Sequence, residues 1–224
     1  MWSGIAGMVS CFDIKKRKNE TDSRGQEVRG IKIYIAKSER DSFEFSVNGE
    51  YCIFAISASN NEEIAKTVVS QALQTLNDKK KAKALFDGCS LDSIYKQILF
   101  DIKQKIFLQT RKNEQQGIES TLLLLLVNTK SKKYFIINIG DGVAMKKEQV
   151  ISYPEQKNAY QTYSVYQENL LKNKHFRVVS GEMVDDDELT LASSSVITPC
   201  STTKQFIRQN LKVLSDAKLV LNIN

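Results

Sequence analysis

Gly117–Ala144, GIESTLLLLLVNTKSKKYFIINIGDGVA, is the stretch whose reading decides the fold. Ser120–Asn128 is a nearly unbroken leucine run, too short for a typical helix and suited to a strand buried on both faces. Thr129–Lys133 is polar and lysine-rich, which reads as a loop. Tyr134–Ile139 is β-branched and aromatic, the composition of a pleated, half-buried surface. Gly140-Asp141-Gly142 then breaks the run, with two glycines allowing a tight backbone and one carboxylate left at a strand end. Taken alone, such a triplet is also what an ordinary hairpin turn looks like.

Outward from this stretch, the N-terminal side supplies more strands. Ile31–Ile35 and Ser42–Val47 alternate apolar with polar residues, and Asn48-Gly49 is a strong hairpin signal. Tyr51–Ile56 is the returning strand, apolar throughout. A helix follows, with Asn60 placed to cap it, Glu63 three residues on, and a stripe of Ala65, Val68, Val69, Ala72, Leu73 and Leu76. A second helix starts at Ser90 and carries Ile94, Tyr95, Ile98, Leu99, Ile102 and Ile106 on one face. On the C-terminal side, Val143–Ile151 reads as a short hairpin, and Ser152–Lys174 is polar and tyrosine-rich, with a helix expected near Val165–Leu171. His175–Val179 and Glu188–Ser193 read as strands. Thr198-Pro199 opens a last helix, and Lys218–Ile223 closes the chain as a strand. Strands in hairpins with helices between groups give an α+β fold, two mainly antiparallel sheets packed together with helices outside.

The chain has 224 residues, a net charge of +6, two prolines, four cysteines and one histidine. That length and composition suit one soluble domain, residues 30–224, behind a basic tail at residues 1–29. Irregularly spaced cysteines without a CxxC pair point to reduced thiols in an intracellular protein, cytoplasmic or nuclear. With His175 alone, a zinc site is not expected. Lys15–Lys18, Lys79–Lys81 and Lys130–Lys133 each border an expected loop, and none has the interleaved aromatics of a nucleic-acid surface. Membrane association is not expected beyond a weak N-terminal anchor, in which Met1–Phe12 and the basic cluster would act with an acylated Cys11. Cys11 and Arg17 match a Cys-x5-Arg spacing, but the intervening residues lack glycine and include Asp13, so they cannot form a phosphate-cradling loop. Cys89 and Cys200 precede expected helices and read as capping-turn residues.

The order Ser-Thr, apolar strand, lysine loop, apolar strand, Asn-Ile-Gly-Asp resembles the core of the metal-dependent type 2C (PPM) serine/threonine phosphatases. The resemblance runs over about Ile31–Ile223 and implies a four-layer αββα sandwich, in agreement with the reading above. It places Asp41, in Glu39-Arg40-Asp41-Ser42-Phe43, at the family's first acidic position, with Ala36 near the phosphate-contacting arginine. The family's Phe-x-Val-x-Asp-Gly-His-Gly-Gly run corresponds to Phe54–Glu62. There Ala58 replaces the metal-bridging aspartate, Ser59 the glycine whose carbonyl binds metal, and Asn60 the histidine. Asp141 keeps the Gly-Asp turn, Ser194 replaces a further metal aspartate in Leu191–Ser195, and Asp216 keeps the last one. The segment Ser152–Lys174 is short for the family's flap.

The family's reaction uses two divalent cations to acidify a bridging water that attacks phosphorus. Hard cations such as Mg²⁺ or Mn²⁺ need charged oxygens, which an alanine lacks and a serine supplies poorly. The resemblance therefore implies an inactive domain kept as a regulatory or binding module in phospho-signalling. No cofactor is expected, and the partner would be a kinase or a phosphoprotein. The competing expectation is an active Mg²⁺- or Mn²⁺-dependent serine/threonine phosphatase with a non-standard site at Asp41, Asp141 and Asp216.

Overall fold

The computed structural model describes residues 31–38, 41–87, 91–109, 119–147, 149–153, 176–184, 187–193, 195 and 219–223. Thirteen elements lie within them: β1 (Ile31–Ala36), β2 (Ser42–Asn48), β3 (Tyr51–Ser57), α1 (Glu62–Leu76), α2 (Lys79–Phe86), α3 (Leu91–Gln109), β4 (Leu122–Asn128), β5 (Lys133–Ile139), β6 (Val143–Lys146), β7 (Gln149–Ser152), β8 (Phe176–Glu182), β9 (Glu188–Ala192) and β10 (Leu219–Ile223). They form two five-stranded sheets, β10-β1-β9-β6-β7 and β2-β3-β4-β5-β8. Every pairing is antiparallel except β1 with β9.

Side-chain alternation explains the unbroken leucine run. Successive residues of a strand point to opposite faces. Leu122, Leu124 and Leu126 therefore join Ile53 and Ala55 of β3 in a core under α1, α2 and α3, which includes Val68, Ala72, Ile98 and Ile102. Leu123, Leu125 and Val127 face the other way, with Phe54, Ile56 and Ile136, against Ile33, Ile35, Leu189 and Leu191 of the second sheet. β4 is thus covered on both sides, and each fully buried leucine contributes about 1.5–3 kcal/mol. Helices, sheet and sheet are three layers of the expected sandwich. The helix expected from Thr198 lies outside the described residues, as do the tail at 1–29, Cys11, Cys89, Cys200, His175 and the helix expected near Val165–Leu171.

Four details of the sequence reading change. Asn61, not Asn60, caps α1, its Oδ1 accepting the N–H groups of Glu63 (3.0 Å) and Ile64 (3.4 Å). Lys79–Lys81 opens a helix rather than a loop: Asp78 caps α2 by accepting from the Lys80 N–H at 2.8 Å, and Ala82 and Leu85 are its buried residues. The leucine strand starts at Leu122, because Ser120 instead bridges Ser59. Finally, Gly140-Asp141-Gly142 is no hairpin turn, since it carries the chain from β5 in one sheet to β6 in the other. Asn48-Gly49 does form the expected hairpin, with Gly49 at φ +66°. Among the described residues, no helix is long and apolar enough to cross a membrane.

Candidate functional site

Both sheets terminate at one end of the sandwich. In one sheet Ala36 pairs with Ala192, and Ala192 with Val143. In the other, Ser42 pairs with Ser57 and Leu122 with Ile139. The Gly140–Gly142 crossing joins Ile139 to Val143, so it ties the two ends together. Asp41, Ala58, Thr121, Asp141 and Ser193 each lie just beyond one of these strand ends, and β10 enters here too, with Leu219 opposite Ile35. Ser194 and Asp216 lie outside the described residues.

Asp41 is buried. Its Oδ2 accepts the Ser38 N–H at 2.7 Å and the hydroxyl of Ser195, which belongs to the other sheet's loop. The Asp41 N–H donates back to the Ser38 carbonyl at 3.2 Å, which closes the turn. Lys37 Nζ donates to the carbonyls of Asp41 (3.1 Å) and Ser38 (3.2 Å), so the ammonium of a half-buried lysine braces this turn. Ser195 is itself held by Ser193: its N–H donates to Ser193 Oγ at 3.3 Å, and the two hydroxyls lie 3.1 Å apart.

Ala58 is fixed by its backbone. Its N–H donates to Thr121 Oγ1 at 3.1 Å, and its carbonyl accepts the Thr121 N–H at 2.9 Å. The Ser59 hydroxyl donates to the Glu119 carbonyl at 2.6 Å and accepts the Asn61 N–H at 3.2 Å. Beneath them Ser57 and Ser120 share a buried hydrogen bond of 2.8 Å between their hydroxyls. Asp141 is half-buried in the crossing. Gly140 there has φ +99°, where a side chain would strain the backbone. At Gly142 an added Cβ would meet Leu123 Cβ and Asn138 Oδ1, each at 3.3 Å. Asn138 holds this turn from below, its Nδ2 donating to the Gly142 carbonyl (2.6 Å) and to Ser152 Oγ (3.1 Å).

The described side chains do not fit a two-cation centre. Divalent hard cations take several charged oxygens at once. Among the described residues no three His, Cys, Asp or Glu side chains group together. Ala58 offers a methyl group, the Ser59 hydroxyl is spent on backbone, and one oxygen of Asp41 is taken by neutral donors. Lys37, Thr121, Asn138 and Ser195 were invisible as site residues in the sequence. The Ser-Thr, Asn-Ile-Gly-Asp and Leu-Ala-Ser-Ser-Ser contexts hinted at the last three, and nothing hinted at Lys37.

The protein phosphatase 2C family model matches residues 38–215 of the chain. The chain belongs to the protein phosphatase 2C family. No curated protein matches it. Among solved structures, it is similar to a bacterial serine phosphatase bearing a point mutation, at 12% identity and TM-score 0.52, over 84% of this chain and 93% of that one. It is similar also to the serine/threonine phosphatase of S. agalactiae, at 10% identity and TM-score 0.51, over 83% of this chain and 92% of that one. It spans 46% of the length of a stage II sporulation E family protein from Thermanaerovibrio acidaminovorans, at 12% identity and TM-score 0.34 over 47% of this chain. At these identities the structural likeness speaks for the fold. Among the described residues, this end of the sandwich carries Asp41 and Asp141 amid hydroxyls and amides, with Lys37 beside Asp41.

Proposed function

We propose that this protein phosphatase 2C domain does not hydrolyse phosphoesters and serves as a regulatory or binding module in phospho-signalling. The observation that carries the reading is at the end of β3, where Ala58 is anchored on both backbone groups by Thr121 and presents no ligand atom. Asp41 supports it, because its carboxylate accepts from the Ser195 hydroxyl and the Ser38 amide, groups that would compete with a cation. A kinase or phosphoprotein in the cytoplasm or nucleus is the partner we infer, with neither nucleic acid nor metal cofactor in its work.

Thermal unfolding and phosphopeptide hydrolysis of the purified chain, with and without millimolar Mn²⁺ or Mg²⁺, test this reading. A cation at 100 times its dissociation constant would stabilise the native state by about 2.7 kcal/mol, which for a domain of this size raises Tm by about 5–10 °C. The expected result is no such rise and no hydrolysis. Cation-dependent turnover would overturn the proposal in favour of an altered ligand set at Asp41, Asp141 and Asp216.

A further inference from the structure

We propose that β2 is a self-association edge, at which a second copy of this chain adds its own β2 antiparallel and extends the sheet. β2 is the terminal strand of β2-β3-β4-β5-β8. From the two-residue turn Gly49-Glu50 its register with β3 is unbroken, from Asn48 opposite Tyr51 to Ser42 opposite Ser57. In such a hairpin the residues flanking the turn form a hydrogen-bonded pair, and such pairs alternate along the ladder. Ser42, Glu44, Ser46 and Asn48 therefore turn their backbone groups to β3, while Phe43, Phe45 and Val47 turn theirs to the open edge. Among the described residues, the other hydrogen bonds of β2 come from side chains: Ser46 Oγ to Asn77 Oδ1 (3.1 Å) and Asn48 Nδ2 to the Asn77 carbonyl (2.6 Å). Phe43, Phe45 and Val47 share the inter-sheet face with their partners Ile56, Phe54 and Cys52. The rings stack in a row, Phe43 on Phe45 at 6.2 Å and Phe45 on Phe54 at 6.1 Å. Yet Phe45 is 36% and Val47 50% exposed.

An exposed strand edge is a template for pairing, and proteins guard such edges with lysine, proline, bulges or shortness. β2 has none of these: it is seven residues long, SFEFSVN, with Glu44 as its single charge. β7, by contrast, has four residues and pairs with β6 through a register shift. The order of side chains in β2 singles out a second copy as the occupant. A two-fold axis at Phe45 sets Phe45 against Phe45 of the second copy, Phe43 against its Val47, Glu44 against its Ser46 and Ser42 against its Asn48. Every residue of the strand is then used, the outward backbone groups of the two copies face one another, and apolar meets apolar along one face. Moving the axis to Glu44 sets two carboxylates directly opposite each other, which is destabilising. Moving it to Ser46 leaves Ser42 and Phe43 without partners. A slip by one residue sets outward backbone groups against inward ones. One register therefore satisfies backbone, charge and apolar face together, and the strand is complementary to itself. The pairing makes no use of Ala58, Asp141 or Ser195, so it stands or falls separately from the reading of the site.

Sedimentation of the full chain over a range of concentrations is the test, and a monomer–dimer equilibrium is expected. Phe45→Lys removes the ring pair at the two-fold axis and sets like charges opposite each other, and is expected to weaken the dimer at least about tenfold. Because Phe45 also stacks on Phe54, a second pair of variants keeps the rings in place. Ser46→Lys sets an ammonium against Glu44 of the second copy and is expected to tighten the dimer several-fold, most at low salt. Ser46→Glu sets carboxylate against carboxylate and is expected to weaken it. A full chain that stays monomeric at every concentration overturns the proposal, whether the edge is then open or taken by another protein or another segment of this chain. So does a dimer that Phe45→Lys leaves intact, or one that Ser46→Lys and Ser46→Glu change in the same sense.

Discussion

Asp41→Ala should destabilise the metal-free protein, the opposite of what a cation site predicts. A carboxylate kept for cations is repelled by its neighbours when the metal is absent, so its removal relieves the apo fold. Here Asp41 is buried and accepts from the Ser38 N–H at 2.7 Å and from the Ser195 hydroxyl. Hydrogen bonds to a charged group contribute about 1.5–3 kcal/mol each. Removing the carboxylate also removes the cost of keeping a charge out of water, which offsets part of that sum. A net loss of about 2–4 kcal/mol remains, or about 4–16 °C in Tm for a domain of this size. Ser195→Ala deletes one partner and should cost about 1–2 kcal/mol. The double variant should cost less than the two singles together, because they share one bond. The measurement is urea unfolding in EDTA at neutral pH for the wild type, both singles and the double. An Asp41→Ala protein that equals or exceeds wild type in stability would refute the account of this end of the sandwich.

Two other perturbations probe the rest of the fold. Leu124→Ala and Leu125→Ala remove neighbouring leucines that face opposite cores, and each should cost about 3–5 kcal/mol in urea unfolding. A loss under about 1 kcal/mol at either would mean that β4 is not covered on both sides. Asp187 tests the pH dependence at the far end. Burial alone would push its carboxyl up, but hydrogen bonds from Lys146 (2.7 Å), the Val184 N–H (2.8 Å) and Lys147 (3.1 Å) outweigh this and hold it below the usual carboxylate range. A depressed carboxylate stabilises the fold above its unfolded pKa, and that stability is lost as pH falls through the native one. Asp187→Asn should therefore narrow the gap to wild type only below about pH 4, as read by Tm against pH. An unchanged gap down to about pH 2 would show that Asp187 does not titrate in this way.

Much of the architecture was legible because its signals are local. Period-two alternation marked β1 and β2, Asn-Gly marked the hairpin from β2 to β3, and the leucine run marked a strand covered on both faces. The helix stripes of α1 and α3 were equally plain. What escaped had competing local readings. Three consecutive lysines hid α2, since a short amphipathic helix capped by Asp78 shows only two buried positions, Ala82 and Leu85. Adjacent asparagines left the cap of α1 ambiguous by one residue. The Gly-Asp-Gly triplet gave no sign of whether it turns within a sheet or crosses between two.

The amino-acid order alone determined which segments are strands, and that position 58, just past β3, carries a methyl group. Tertiary structure decided which groups answer Asp41. Ser195 lies 154 residues away from it in the chain, and no periodicity relates two residues so far apart. Their meeting depends on the register of β1 against β9 and on the crossing from β5 to β6, which bring the ends of separate sheets together. Composition can be read residue by residue, whereas a hydrogen bond across two sheets exists only once both have packed.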